Sequence, residues 1–153
     1  MSRPTKVEMM MGIARMVSLR GTCDRLQVGA AIARDSRVIS TGYNGNVSGA
    51  IHCRHSDDEF YGYGSEDGCQ TAVHAEANAL VFAARHGVAV LDAELWTTHL
   101  PCLSCAKLII NAGITQVWFE HDYRKREGLE LLIETGLFVF RVREDYSTFQ
   151  VTR

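Results

Sequence analysis

The sequence predicts an α/β protein: a three-layer α/β/α domain on a five-stranded mixed sheet. Three observations carry that expectation. Through the second half, strand-like segments alternate with segments of helical periodicity, which calls for crossover connections and at least partly parallel pairing. Near the N-terminus, two strand-like segments are separated by the turn Asp35-Ser36, which calls for an antiparallel hairpin. The chain has 153 residues, 46% of them apolar, which suits one core and a single domain over residues 1–153.

The elements follow in order. Residues 5–20 read as an amphipathic helix, with Met9, Ile13, Met16 and Val17 at helical spacing and Gly21 as terminator. Val28–Ala33 and Val38–Thr41 read as strands. A Gly-rich insertion then covers about residues 43–70, too long to stay structureless in a compact domain unless a metal, a ligand or a neighbouring subunit holds it. Thr71–His86 reads as a helix with Ala75, Ala79, Phe82 and Ala83 on one face, ended by Gly87. Glu94–Thr98 is a strand, and Pro101 begins a helix continuing over Cys102–Ala112. Thr115–Phe119 is a strand, Lys125–Thr135 a helix closed by Gly136, and Leu137–Val142 the last strand. The predicted order is α-β-β-α-β-α-β-α-β.

Composition narrows the function. The formal net charge is −2, and the Arg124-Lys125-Arg126 run reads as solvating a helix start, so a small-molecule substrate is expected and a nucleic-acid polymer is not. No apolar run approaches the roughly 20 residues of a membrane span, and no secretory leader is evident, so no membrane partner and a cytoplasmic location are expected. Five cysteines in a reducing compartment point to metal or catalysis before disulfides.

Two short motifs carry the chemistry. His74-Ala75-Glu76 opens one helix and Pro101-Cys102-Leu103-Ser104-Cys105 opens another. Cys102 and Cys105 are three residues apart, so both sulfurs sit on one helix face, and a helix N-terminus favours thiolate. With His74 they form a soft donor set suited to zinc, and three protein ligands leave a fourth position for water, as in catalytic sites. Glu76 is placed to serve that water as a proton shuttle. Two other classes compete: a non-catalytic zinc-binding interaction domain, which needs no such glutamate, and a redox protein using Cys102 and Cys105, which leaves His74-Ala75-Glu76 unexplained.

Together these motifs resemble the H-x-E…P-C-x-x-C signature of the cytidine and deoxycytidylate deaminase superfamily. Leu19–Arg25, Ile39–Gly45, Val73–Ala79 and His99–Lys107 carry the resemblance, which runs from about Met9 to Val142; the first two stretches are similar to those of dCMP deaminases. The resemblance implies a cytidine deaminase-like fold and hydrolysis of dCMP to dUMP and ammonia. Alternatives within the superfamily are dCTP, a modified dCMP, CMP, cytidine, cytosine, guanine or a tRNA adenine. It further implies His74, Cys102 and Cys105 as zinc ligands, Glu76 as shuttle, and Asn44, Arg25, Ala75, Phe82, Arg85 and Tyr123 as substrate contacts. Asn44 is expected at the sugar and base, where an amide can donate and accept at once, and Arg25 at the 5′-phosphate. A second, structural zinc on Cys23, Cys53 and Cys69, with His52 and His55 nearby, is also implied. So are dCTP and dTTP effectors with Mg, and a homo-oligomer, either a hexamer or a dimer or tetramer. The sequence departs from the family at Ala72, where relatives place a further ligand, and at Asn46-Val47, where the usual proline is missing.

Overall fold

The computed structural model describes residues 2–53, 64–65, 68–69 and 71–152. In chain order the elements are α1 (Lys6–Ser18), β1 (Gly29–Arg34), β2 (Arg37–Tyr43), β3 (Gly45–Asn46), β4 (Gly64–Ser65), β5 (Gly68–Cys69), β6 (Ala72–Val73), α2 (Ala75–Arg85), β7 (Glu94–His99), α3 (Leu103–Asn111), β8 (Gln116–His121), α4 (Glu127–Glu134), β9 (Phe138–Val142) and β10 (Thr148–Val151).

The main sheet has six strands in the order β10-β9-β8-β7-β1-β2, one more than expected. The hairpin β1–β2 is antiparallel and its two-residue loop, Asp35-Ser36, has φ of 52° and 60°. Positive φ at both positions is the backbone of a turn that matches the twist of the flanking strands. The β7–β8 and β8–β9 pairs are parallel, as the alternating pattern predicts. The extra strand, β10, pairs antiparallel with β9 at the sheet's edge. Its alternation, Phe149 and Val151 against Thr148 and Gln150, spans only four residues, three of them exposed, too short a pattern to be read as a strand from sequence.

The first helix corrects a phase. Thr5 caps α1 in a capping box with Glu8, and the buried face is Met10, Met11, Ala14 and Ser18. Met9 and Met16 face outward, Met16 being 68% exposed. A run of three methionines supports two adjacent phases equally. The helix turns its small residues, Ala14 and Ser18, inward beneath the sheet, where they permit close packing. On this face Met10, Met11, Ala31 and Trp96 form one core cluster; a larger one, including Ile32, Leu95, Ile109, Phe119 and Leu132, lies on the other.

That second face positions the site. A Cβ on Gly42 would strike the Ala75 carbonyl and the Ala79 nitrogen, so only glycine lets β2 and α2 approach this closely. The Ser40 hydroxyl donates to the Ala79 carbonyl at 2.7 Å, and the Asn78 amide to the Tyr43 carbonyl at 2.9 Å, fixing the N-terminal half of α2 against β2. A Cβ on Gly128 would strike the Pro101 carbonyl, so α4 packs directly on the turn that launches α3. Within the Gly-rich insertion, β3 pairs with β6 and β4 with β5. This pairing holds residues 72–73 extended, so α2 begins at Ala75 and not at Thr71.

Candidate active site

His74 is the N-cap of α2 and Cys102 the N-cap of α3, with Cys105 in that helix's first turn. The His74 Nδ1 atom lies 3.3 Å from Cys102 Sγ and 3.5 Å from Cys105 Sγ. One donor atom from each of the three residues falls within 4.8 Å of the others. Two sulfurs and an imidazole at this spacing fit a tetrahedral zinc with one position left over.

The protonation of the three groups reflects their crowding. Hydrogen bonding from Cys105, assisted by His74, holds the Cys102 thiol down at about 4. The Cys105 thiol is pushed up, first by its bond to Cys102 and then by burial. His74 rises to about 8 because it pairs with Cys102. Protons thus bind one anion among three soft donors, the arrangement a divalent cation replaces.

Glu76, in the first turn of α2, is only 4% exposed, and burial raises its pKa. A carboxyl shifted in this direction holds a proton more readily than an exposed one, which suits a group that must take a proton and return it. It opens onto a cleft shared with the start of α3 and with the segments that enter β1 and leave β7 and β8.

The structure brings His74, Ala75, Glu76, Cys102, Arg25, Asn44 and Tyr123 to this cleft. Asn44 is 7% exposed and occupied differently from expectation. Its Oδ1 accepts from the Val28 N–H at 2.8 Å and its Nδ2 donates to the Leu26 carbonyl at 2.6 Å. Its backbone N–H donates to the Val28 carbonyl, and its carbonyl accepts from Thr22. Asn44 therefore clamps the segment that carries Arg25, leaving one amide hydrogen for a ligand. Phe82 and Arg85 lie elsewhere. Phe82 is 51% exposed and packs on the His86 ring at a centroid distance of 4.4 Å, while Arg85 is exposed in the last turn of α2. The buried face of α2 runs through Ala75, Glu76, Ala79 and Ala83, which turns both away from the cleft.

Cys23, Cys53 and Cys69 also converge, their sulfurs within 4.8 Å of one another. Burial pushes the Cys53 thiol up to about 12. Burial also works against ionisation of Cys69, but hydrogen bonds from Thr71 and Ala72 outweigh it and lower that thiol. Cys23 and Cys69 border the cleft as well, so the second cluster forms part of its wall. His52 is exposed, and His55 lies outside the described residues.

His99, Leu26, Val28 and Arg124 line the cleft without having been singled out from the sequence. His99 ends β7 and Arg124 follows β8; ligands of open α/β sheets sit beyond the carboxyl ends of strands, and that rule points to both. Arg124 borders the cleft as well as preceding α4. No helix among the described residues is long and apolar enough to cross a membrane.

A family described as "Cytidine and deoxycytidylate deaminase zinc-binding region" matches residues 4–121. The ComE operon protein 2 of Bacillus subtilis is 39% identical over 136 residues, covering 88% of this chain and 70% of that protein. A deoxycytidylate deaminase of Mycobacterium phage D29 is 40% identical over 129 residues, covering 80% and 99%. The crystal structure of the dCMP deaminase from cyanophage S-TIM5 in complex with dCMP and dUMP superposes with a TM-score of 0.79 at 31% identity, covering 93% of this chain and all (100%) of that one.

Proposed function

This chain belongs to the cytidine and deoxycytidylate deaminase family, and from that premise we propose that it hydrolyses dCMP to dUMP and ammonia. The observation that carries the reading is a buried carboxyl, Glu76, two residues from an imidazole that meets two helix-start sulfurs, in a cleft also lined by Arg25, Asn44 and Tyr123. His74, Cys102 and Cys105 would hold zinc, which when bound would supply a Lewis acid that activates water. Glu76 would take one proton from a water adding at C4 of the base and deliver it to N3, then take the second proton from the C4 hydroxyl and give it to the amine, so that the C4 carbonyl forms as ammonia departs. The cleft wall shields these transfers from bulk solvent. Asn44 fixes the Arg25 segment, and Arg25 meets the 5′-phosphate, since a guanidinium fork matches phosphate oxygens. Tyr123 and the first-turn backbone of α2 at Ala75 bound the nucleoside.

Finer features follow the same reading. The cluster of Cys23, Cys53 and Cys69 supports a second, structural zinc. The exposed apolar side chains of Val81 and Phe82 on α2, and of Leu103 and Leu108 on α3, support association with further copies of the chain. The Gly-rich Tyr43–Gly49 segment supports control by dCTP and dTTP with Mg, and a substrate of nucleotide metabolism is consistent with a cytoplasmic enzyme. The test is ammonia release from dCMP, dCTP, CMP, cytidine and guanine by zinc-loaded protein, with and without dCTP and dTTP. dCMP is expected to be turned over fastest; equal or faster turnover of another base or nucleotide overturns the assignment.

A further inference from the structure

Strand order places three chain segments at one end of the sheet. In the run β8-β7-β1, β7 is parallel to β8 and antiparallel to β1. The segment entering β1, the one leaving β7 and the one leaving β8 therefore emerge together. They carry Arg25, His99 and Arg124, all of which line the cleft. The same cleft is also lined by the starts of α2 and α3, with His74, Glu76 and Cys102. Arg25 and Arg124 are the two permanent cations among its described lining residues, and Arg124 lies over the Tyr123 ring at 5.6 Å. His99 stands on the strand between them.

The hydrogen bonds around His99 fix its tautomer. Thr98 is 4% exposed, so its hydroxyl hydrogen needs an acceptor. The Thr98 oxygen already accepts from the Gly29 N–H at 3.2 Å, and His99 Nδ1 lies 3.0 Å from it. Among the described residues Nδ1 is the acceptor given for that hydrogen, and a hydroxyl donating to Nδ1 puts the ring proton on Nε2. Burial, aided by the neighbouring His121 whose ring is 5.0 Å away, also favours the neutral ring. His99 presents a single oriented N–H donor rather than a mobile charge.

We propose that His99 is a specificity-determining residue: its Nε2–H donates to the substrate's 5′-phosphate between Arg25 and Arg124, so that the site selects a nucleoside monophosphate over the nucleoside. This rests on the dCMP reading above. Thr98 is a positioning residue, acting through the tautomer of His99.

The test uses zinc-loaded full-length protein and calorimetric binding of dUMP and deoxyuridine. Wild type is expected to prefer dUMP. His99→Leu should lower the dUMP-to-deoxyuridine affinity ratio about tenfold or more, the weight of one hydrogen bond to a charged group. His99→Gln, which keeps a donor, should recover most of it. Long-range ¹H–¹⁵N correlations should show the Nε2–H tautomer of His99 in wild type and its loss in Thr98→Val. An unchanged ratio in His99→Leu, an equal loss for both ligands, or a ratio in His99→Gln as low as in His99→Leu overturns the proposal. Ammonia release from dCMP, measured in parallel, separates the two claims. A dUMP preference without turnover removes the reaction and keeps the phosphate seat. Turnover without that preference does the reverse.

Discussion

The two sulfur clusters of this chain have similar dimensions and different foundations. His74, Cys102 and Cys105 stand at the starts of two helices, each fixed by close backbone packing: α2 on Gly42, and the α3 turn beneath Gly128. Cys23, Cys53 and Cys69 come from three irregular or short paired segments, with 29 and 15 residues between them. The first cluster borrows its geometry from secondary structure and the sheet core. The second draws together segments with little regular structure of their own, so a metal there contributes folding energy to those segments. A catalytic centre has to be preorganised, whereas a structural one can do the organising.

The contrast predicts how each cluster fails. Cys102→Ala should abolish bound zinc at the first site and cut turnover of dCMP by roughly 10⁴-fold or more, while leaving the fold intact, as read by metal analysis, ammonia release and circular dichroism. Cys53→Ser should do the converse: zinc falls by one equivalent, the melting temperature drops by several degrees, and turnover survives at reduced dCMP affinity because Cys23 and Cys69 border the cleft. Gly128→Ala sharpens the comparison from the protein side. It forces α4 off the Pro101-Cys102 turn, costs about 1–3 kcal/mol in denaturant unfolding, and weakens the first site only.

Acidity gives a subtler distinction. Without metal, His74 carries its proton to about pH 8 and Cys105 holds its own well above neutrality, while Cys102 is ionised above about pH 4. Metal binding displaces the first two protons. The metal-free state binds more protons than the loaded one, so affinity rises with pH. Between pH 6 and 7.5 the first site's apparent zinc affinity should climb by about two log units per pH unit, and calorimetry in buffers of different ionisation enthalpy should count about two protons released. A slope near zero would place the protons elsewhere.

The first cluster was legible because its short spacings open two helices: sulfurs three positions apart share a face, and a carboxyl follows the imidazole by two positions. The second was reachable only through resemblance, since its ligands share no period. Phe82 and Arg85 illustrate the limit of a helical pattern, which gives the period of α2 but leaves its buried face to the packing of Ala79 and Ala83 on β2. Asn44 shows another limit: a turn asparagine suggests ligand contact and αL backbone alike, and its bonds to Leu26 and Val28 exist only once the chain has folded back. His99 and Arg124 gained meaning from strand order, which sequence spacing does not contain. The strand β10 was missed because its apolar alternation is only two residues long, Phe149 and Val151, and its place in the sheet comes from backbone pairing with β9.

The central claim is that Glu76 moves the proton while its neighbours hold the metal. Zinc content and ammonia release from dCMP, measured on one preparation each of wild type and Glu76→Gln, test it most directly. Equal zinc in both and a loss of at least about 10³-fold in kcat for the variant are expected. Equal zinc with wild-type turnover in Glu76→Gln would contradict it.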